Sequence, residues 1–190
     1  MNSEQVLEHF RASNALLDGH FVLSSGLHSG TYLQCALALQ MPADAIRFGD
    51  QIARRFLDEG FDTVASPAIG GLVIGFAVAR SLDIRFLWTE RVAGEMTLRR
   101  GFTIRPGERV LVVEDVITTG GSTRECIAAV EAAGGEVAAA ASIIDRSGGN
   151  ADVGVPRTSL ASLNVRSFHP DTCPLCESGD VAVKPGSRAS

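Results

Sequence analysis

The sequence predicts a doubly wound α/β domain: a mainly parallel sheet flanked by helices, with a small cap (hood) built from the two ends of the chain. Three observations carry this. Short apolar runs such as VLVV at 110–113 alternate with helical stretches of about 10–15 residues, the pattern of βαβ units. Those runs are apolar almost without interruption, not at every second residue, which fits strands covered on both faces. The chain has 190 residues, 45% of them apolar and 21% charged, enough for one sizeable core of ordinary globular composition.

Residues 3–17 read as a helix with Val6, Phe10 and Leu17 near one face. Extended segments follow at 21–25 and 31–39, separated by GLHSG, and Cys35 falls in the second as a small buried apolar residue. After Pro42, helical spacing through Ile46, Ile52 and Phe56 runs over 43–59 and stops at Gly60. DTVASPA (62–68) is a strand leading through a Gly-Gly turn into an apolar helix at 72–82, and 84–88 is another strand. Residues 90–108 are polar, rich in Arg and Gly, and lack a period. A strand at 109–115, a helix at 122–134 closed by Gly134, a strand at 136–145 and a last candidate strand at 159–165 complete the chain. The ends, about 1–40 and 150–190, break the alternation. We therefore read a single domain with its core at about 41–150 and the cap outside it.

Composition excludes several functions. The net charge of −5 and the lack of a long basic run argue against a nucleic-acid partner. No segment approaches 18 uninterrupted apolar residues, so no membrane span is expected. The acidic N-terminal segment, with Glu4 and Glu8, lacks the basic start and apolar core of a signal peptide, which leads us to expect a cytoplasmic protein. Four cysteines at uneven spacing do not make a disulfide framework. The tail HPDTCPLC holds a C-x-x-C. We read it as a Pro-stiffened terminal turn, against the alternative of a metal set completed by His169 and Cys35.

The informative stretch is VLVVEDVITTGGST (110–123). A buried strand that ends on Glu114 and Asp115 places carboxylates where burial penalises them, at the carboxyl edge of a parallel sheet where ligands sit. The turn that follows opens a helix. Gly120 and Gly121 let a ligand approach the backbone, the amides of the helix start attract a phosphate, and the hydroxyls of Thr118, Thr119, Ser122 and Thr123 add donors. Carboxylates beside an anion nest suit a ribose 5-phosphate. The plainer alternative is an N-capped turn, Ser122 with Glu125 as a capping box, which leaves the two acids unexplained. Neither a G-x-x-x-x-G-K-[ST] nor a G-x-G-x-x-G is present.

This stretch resembles the 5-phosphoribosyl 1-diphosphate (PRPP) signature of type I phosphoribosyltransferases. GHFVLSSGLHSGTYLQ (19–34), SPAIGGLVIG (66–75), ERVAGEMTLRRGF (90–102) and IIDRSGG (143–149) resemble orotate phosphoribosyltransferases, in that family's order. The resemblance implies the type I fold, a homodimer, and Mg²⁺-dependent transfer of 5-phosphoribose from PRPP to orotate, giving orotidine 5′-monophosphate and pyrophosphate in pyrimidine biosynthesis. It implies PRPP binding by Glu114, Asp115, Val116, Ile117, Thr118, Thr119, Gly120, Gly121 and Ser122, with the Mg²⁺ held mainly through PRPP. It implies orotate binding by Thr118 and Arg146, and a mobile loop whose Arg91 reaches pyrophosphate in the neighbouring subunit's site.

Arg99 and Arg100 read equally as pyrophosphate contacts or as a solvated surface pair. Where the family often has lysines or an aromatic-lysine pair, this chain has Ser24, Val92, Ile69 and Gly70. The alternatives are a purine or uracil phosphoribosyltransferase, or a PRPP-sensing regulatory protein, which would be expected to carry a DNA-binding domain or basic face.

Overall fold

The computed structural model describes residues 1–23 and 25–185. The chain runs α1 (Ser3–Ala12), β1 (Leu16–Val22), β2 (His28–Leu33), α2 (Cys35–Ala38), α3 (Pro42–Ala53), β3 (Thr63–Pro67), α4 (Gly71–Leu82), β4 (Arg85–Val92), β5 (Glu95–Leu98) and β6 (Arg109–Ile117). It continues through α5 (Gly121–Ala132), β7 (Glu136–Asp145), β8 (Arg157–Ser162), β9 (Ser167–Phe168), a 3₁₀ turn (Pro170–Thr172) and α6 (Pro174–Glu177). Six strands form one sheet in the order β5-β4-β3-β6-β7-β8, parallel except for β5, and β1, β2 and β9 form a separate antiparallel sheet, the cap. Ser24 lies outside the described residues.

The central strand β6 shows why the apolar runs lack alternation. Leu111 and Val113 pack into a core with Phe10, Phe48, Ile52, Ile74 and Val78 from α1, α3 and α4. Val110 and Val112 face the other way, into a core with Cys126, Ile127 and Val130 of α5. Both faces are thus covered. Helix α3 lies so close on α4 that a Cβ at Gly49 would stand 2.6 Å from the Ala77 Cβ and 2.7 Å from its backbone carbon. Gly49→Ala would gain about 1 kcal/mol of helix propensity, but backbone cannot yield as a side chain does, so an overpacking cost near about 3 kcal/mol prevails. We expect a net loss of about 2 kcal/mol, seen as a melting temperature lower by roughly 4–8 °C. An unchanged or raised melting temperature would show that the helices can separate freely.

Several boundaries differ from the sequence reading, among them the end of α3 at Ala53, not 59, and the extended segments, which fall at Leu16–Val22 and His28–Leu33. Helix α1 stops at Ala12, because Asn14 turns the chain with φ +56° and Leu16 starts a strand. Its start is closed by a reciprocal Asn2–Gln5 capping box. Cys35 lies on the short helix α2, not a strand. The aperiodic 90–108 stretch contains a hairpin, β4 with β5, closed by Ala93 and Gly94, both at positive φ as a two-residue turn of this kind requires. The strand at 157–162, expected in the cap, is the edge of the large sheet, paired parallel to β7. Its short run RTSLAS buries only Leu160 and Ala161, which hides it in composition.

Candidate active site

Strand β6 outruns its neighbour. Its pairing with β3 ends at Val112, while its pairing with β7 continues to Ile117 opposite Asp145. Glu114 and Asp115 therefore stand at the lip of a crevice, beyond β3 and between the starts of α4 and α5. As adjacent strand residues they point to opposite sides. Glu114 accepts a hydrogen bond from the Thr123 hydroxyl on α5. Asp115 accepts from the Val116 amide at 2.8 Å and faces the start of α4, where a Cβ at Gly70 would sit 2.8 Å from its Oδ1. The thiol of Cys35 lies beside Asp115 as well.

Burial raises both carboxyls: Glu114 to about 7, against the opposing Thr123 hydrogen bond and with a further push from Asp115, and Asp115 in the same direction. No cation pairs with either acid among the described residues. Two desolvated acids without a counter-charge are poised for hydroxyl donors or a cation.

The turn after β6 has the open amides an anion nest requires. Gly120 takes a left-handed conformation (φ +76°) and N-caps α5 without any side-chain hydrogen bond, so the first-turn amides remain available and the Ser122–Glu125 capping box does not form. Thr118 and Thr119 are exposed and Ser122 is half-buried, which leaves their hydroxyls accessible. Thr123 is not a ligand donor, since it is fully buried and bonded to Glu114. Ile117 is fully buried and shapes the segment through its backbone, its carbonyl accepting from the Arg146 amide at 2.8 Å.

Arg146 follows β7 into the same crevice region. Its guanidinium is half-buried, desolvation lowers its pKa from the usual arginine value, and it joins no ion pair among the described residues. An unpaired, partly desolvated arginine is suited to a planar carboxylate. Sequence reasoning missed its support. Asp145 accepts from the Ser147 amide and hydroxyl (2.8 and 2.6 Å) and the Gly149 amide (2.9 Å), and pairs with Arg157 at 2.9 Å. Burial alone would raise the Asp145 carboxyl, but Ser147 and Arg157 hold it below its ordinary value. The signal was there: IID, like VVED, is an apolar strand ending on an acid. Arg124 was also missed; it donates to the carbonyls of Thr119 and Asp152 and so anchors the nest.

The arginines of the 90–108 region are otherwise engaged. Arg91 pairs with Glu125 on α5 and donates to the Gly94 carbonyl at 2.6 Å. Arg100 grips Glu90 through two hydrogen bonds, 2.5 and 3.1 Å, with Arg99 3.9 Å away, and Arg100 holds the Glu90 carboxyl below its ordinary value. Val92 and Ile69 are exposed, and Gly70 is small because Asp115 occupies the space beside it.

A strand-end acid pair, an uncapped helix start and a parallel sheet with this order define a phosphoribosyltransferase domain, and the model of the phosphoribosyl transferase domain matches residues 39–171. Orotate phosphoribosyltransferase of Desulforamulus reducens is 50% identical over 99% of this chain and 98% of its own. That of Heliobacterium modesticaldum is 51% identical over 99% of this chain and all of its own. The crystal structure of orotate phosphoribosyltransferase from Aeropyrum pernix superposes with a TM-score of 0.67 at 26% identity, over 83% of this chain and 93% of that one. The chain belongs to the orotate phosphoribosyltransferase family.

Proposed function

We propose that this protein breaks the C1–oxygen bond of PRPP to pyrophosphate and forms a bond from C1 to N1 of orotate, giving orotidine 5′-monophosphate. The observation that carries this is the acid pair Glu114–Asp115 set against the uncapped start of α5, supported by the family match over residues 39–171 and the full-length similarities above. The α5 amides with Thr118, Thr119 and Ser122 hold the 5′-phosphate, the two carboxylates accept from the ribose hydroxyls, and Arg146 takes the orotate carboxylate, with Thr118 nearby. As C1 loses its leaving group, positive charge grows on the ribose, which the two acids stabilise. The acid pair is a hard-oxygen donor set, so it fits Mg²⁺ bound together with PRPP, and the ion would supply charge neutralisation on the leaving oxygens.

The test is direct. Purified protein with PRPP, Mg²⁺ and orotate is expected to consume orotate, read as loss of its ultraviolet absorbance. Turnover with a purine or with uracil in place of orotate would assign a sister activity, and no turnover with any base while a PRPP-dependent interaction persists would favour a sensor.

The protein is further proposed to work as a homodimer, with Arg91 reaching the partner's pyrophosphate. In the single chain Arg91 is held by Glu125, but both side chains are nearly half exposed. Such a pair is worth at most about 1 kcal/mol, so exchanging it for a polyanion is inexpensive. Mixing the impaired Arg91→Ala and Asp115→Asn proteins is expected to raise activity above that of either alone, because a hybrid dimer holds one site with both residues intact. Absence of recovery after confirmed subunit exchange would place Arg91 outside the partner's site.

A further inference from the structure

The tail turn and the cap meet at a cluster that the proposed reaction does not use. His20 on β1, His28 on β2, and Cys173 and Cys176 around α6 bring one ligand atom each to within 4.8 Å of one another. The Nε2 of His20 is 2.9 Å from the His28 Nδ1, 3.6 Å from the Cys173 Sγ and 3.8 Å from the Cys176 Sγ, and the Cys176 Sγ is 3.3 Å from the His28 Nδ1. Zinc bonded to nitrogen at about 2.0–2.1 Å and to sulfur at about 2.3 Å in a tetrahedron separates its ligand atoms by roughly 3.3–3.8 Å. The four distances above lie within about half an ångström of that range, and the remaining ligand pairs, within 4.8 Å, reach it by closing up to about 1 Å.

Two further features point the same way. The His20 Nδ1 lies 2.9 Å from the Asp180 carbonyl, a contact that requires the proton on Nδ1 and leaves the Nε2 lone pair aimed into the cluster. This is how metal-binding histidines are held. Cys173 is almost wholly buried although α6 and the 3₁₀ turn before it contribute no other buried residue. A tail with so little apolar contact needs another source of order.

We propose that His20, His28, Cys173 and Cys176 form a structural Cys₂His₂ zinc site that pins the C-terminal turn to the cap hairpin. This corrects the set that the sequence suggested. His169 and Cys35 are not members: Cys35 lies beside Asp115, and the histidines that complete the C-x-x-C stand about 150 residues earlier in the chain. The four donors are closed and partly buried, which suits a structural ion and leaves no open position for chemistry. Through β2 the site also steadies the approach to Cys35 and hence the Asp115 side of the crevice.

The test uses the full chain, expressed with zinc in the medium and purified with a reductant and without chelator, its metal measured by mass spectrometry. About one zinc per chain is expected. His28→Ala and Cys176→Ser are each expected to lose most of it and to melt at lower temperature, whereas His169→Ala and Cys126→Ser keep it. Replacing the zinc of the unmutated protein by cobalt is expected to give the intense visible bands of a tetrahedral site and thiolate charge-transfer absorption, a readout independent of any variant's folding. Fewer than about one zinc per ten chains with no such cobalt spectrum would overturn the proposal. Equal loss of metal in His169→Ala, or a Cys173–Cys176 disulfide in the freshly purified protein, would overturn it too.

Discussion

Asp115→Asn is expected to lower kcat/KM for PRPP by roughly tenfold to a hundredfold while the fold stays intact. Asparagine keeps the shape and an acceptor oxygen for the Val116 amide, but it removes the charge that strengthens a hydrogen bond to a ribose hydroxyl. One such charged bond is worth about 1.5–3 kcal/mol, which converts to that range of rate. The acid is backed by packing that does not change: Gly70 lies against it, and the Cys35 thiol lies beside it. Steady-state kinetics with varied PRPP and Mg²⁺, together with a circular dichroism melt, separates the loss of function from loss of structure. If Asp115→Asn and Glu114→Gln both leave PRPP affinity and turnover intact, the acid pair does not bind the ribose.

The core was legible because burial on both faces writes itself into composition. VLVV has no polar residue, and AAAASIID has only Ser142 before its terminal Asp145, so β6 and β7 could be placed to within two residues at each end. The acid pair and the glycine turn were legible because each contradicts its surroundings: an acid is costly at the end of a buried strand, and a helix that opens on Gly-Gly gives up a cap. Residues whose meaning depends on a distant partner were not legible. Arg157 reads as one more surface cation until β8 pairs with β7 and brings it to Asp145. His20 and His28 sit on a cap hairpin whose polar faces carry no period, and only the return of the tail gives them cysteines. Local rules placed the strand-end acids; contacts between the two ends of the chain required the fold.

Glu114→Gln is expected to abolish most activity and yet to make the ligand-free protein more stable at pH 8. The Glu114 carboxyl is raised from 4.5 to about 7, so the folded chain holds its proton more tightly than the unfolded one. Stability from this group is therefore complete below about pH 4.5 and is lost as pH rises through about 7. That rise in pKa corresponds to about 3–3.5 kcal/mol, withheld from the folded state at alkaline pH. Glutamine carries no charge to desolvate, still offers an oxygen to the Thr123 hydroxyl, and relieves the repulsion on Asp115. Melting temperatures are expected to coincide near pH 4.5 and to separate by roughly 6–14 °C in favour of the variant at pH 8. A variant no more stable than the unmutated protein at pH 8 would mean that Glu114 is well solvated before substrate arrives. The acid pair would then have no electrostatic strain for the ribose hydroxyls and the cation to relieve.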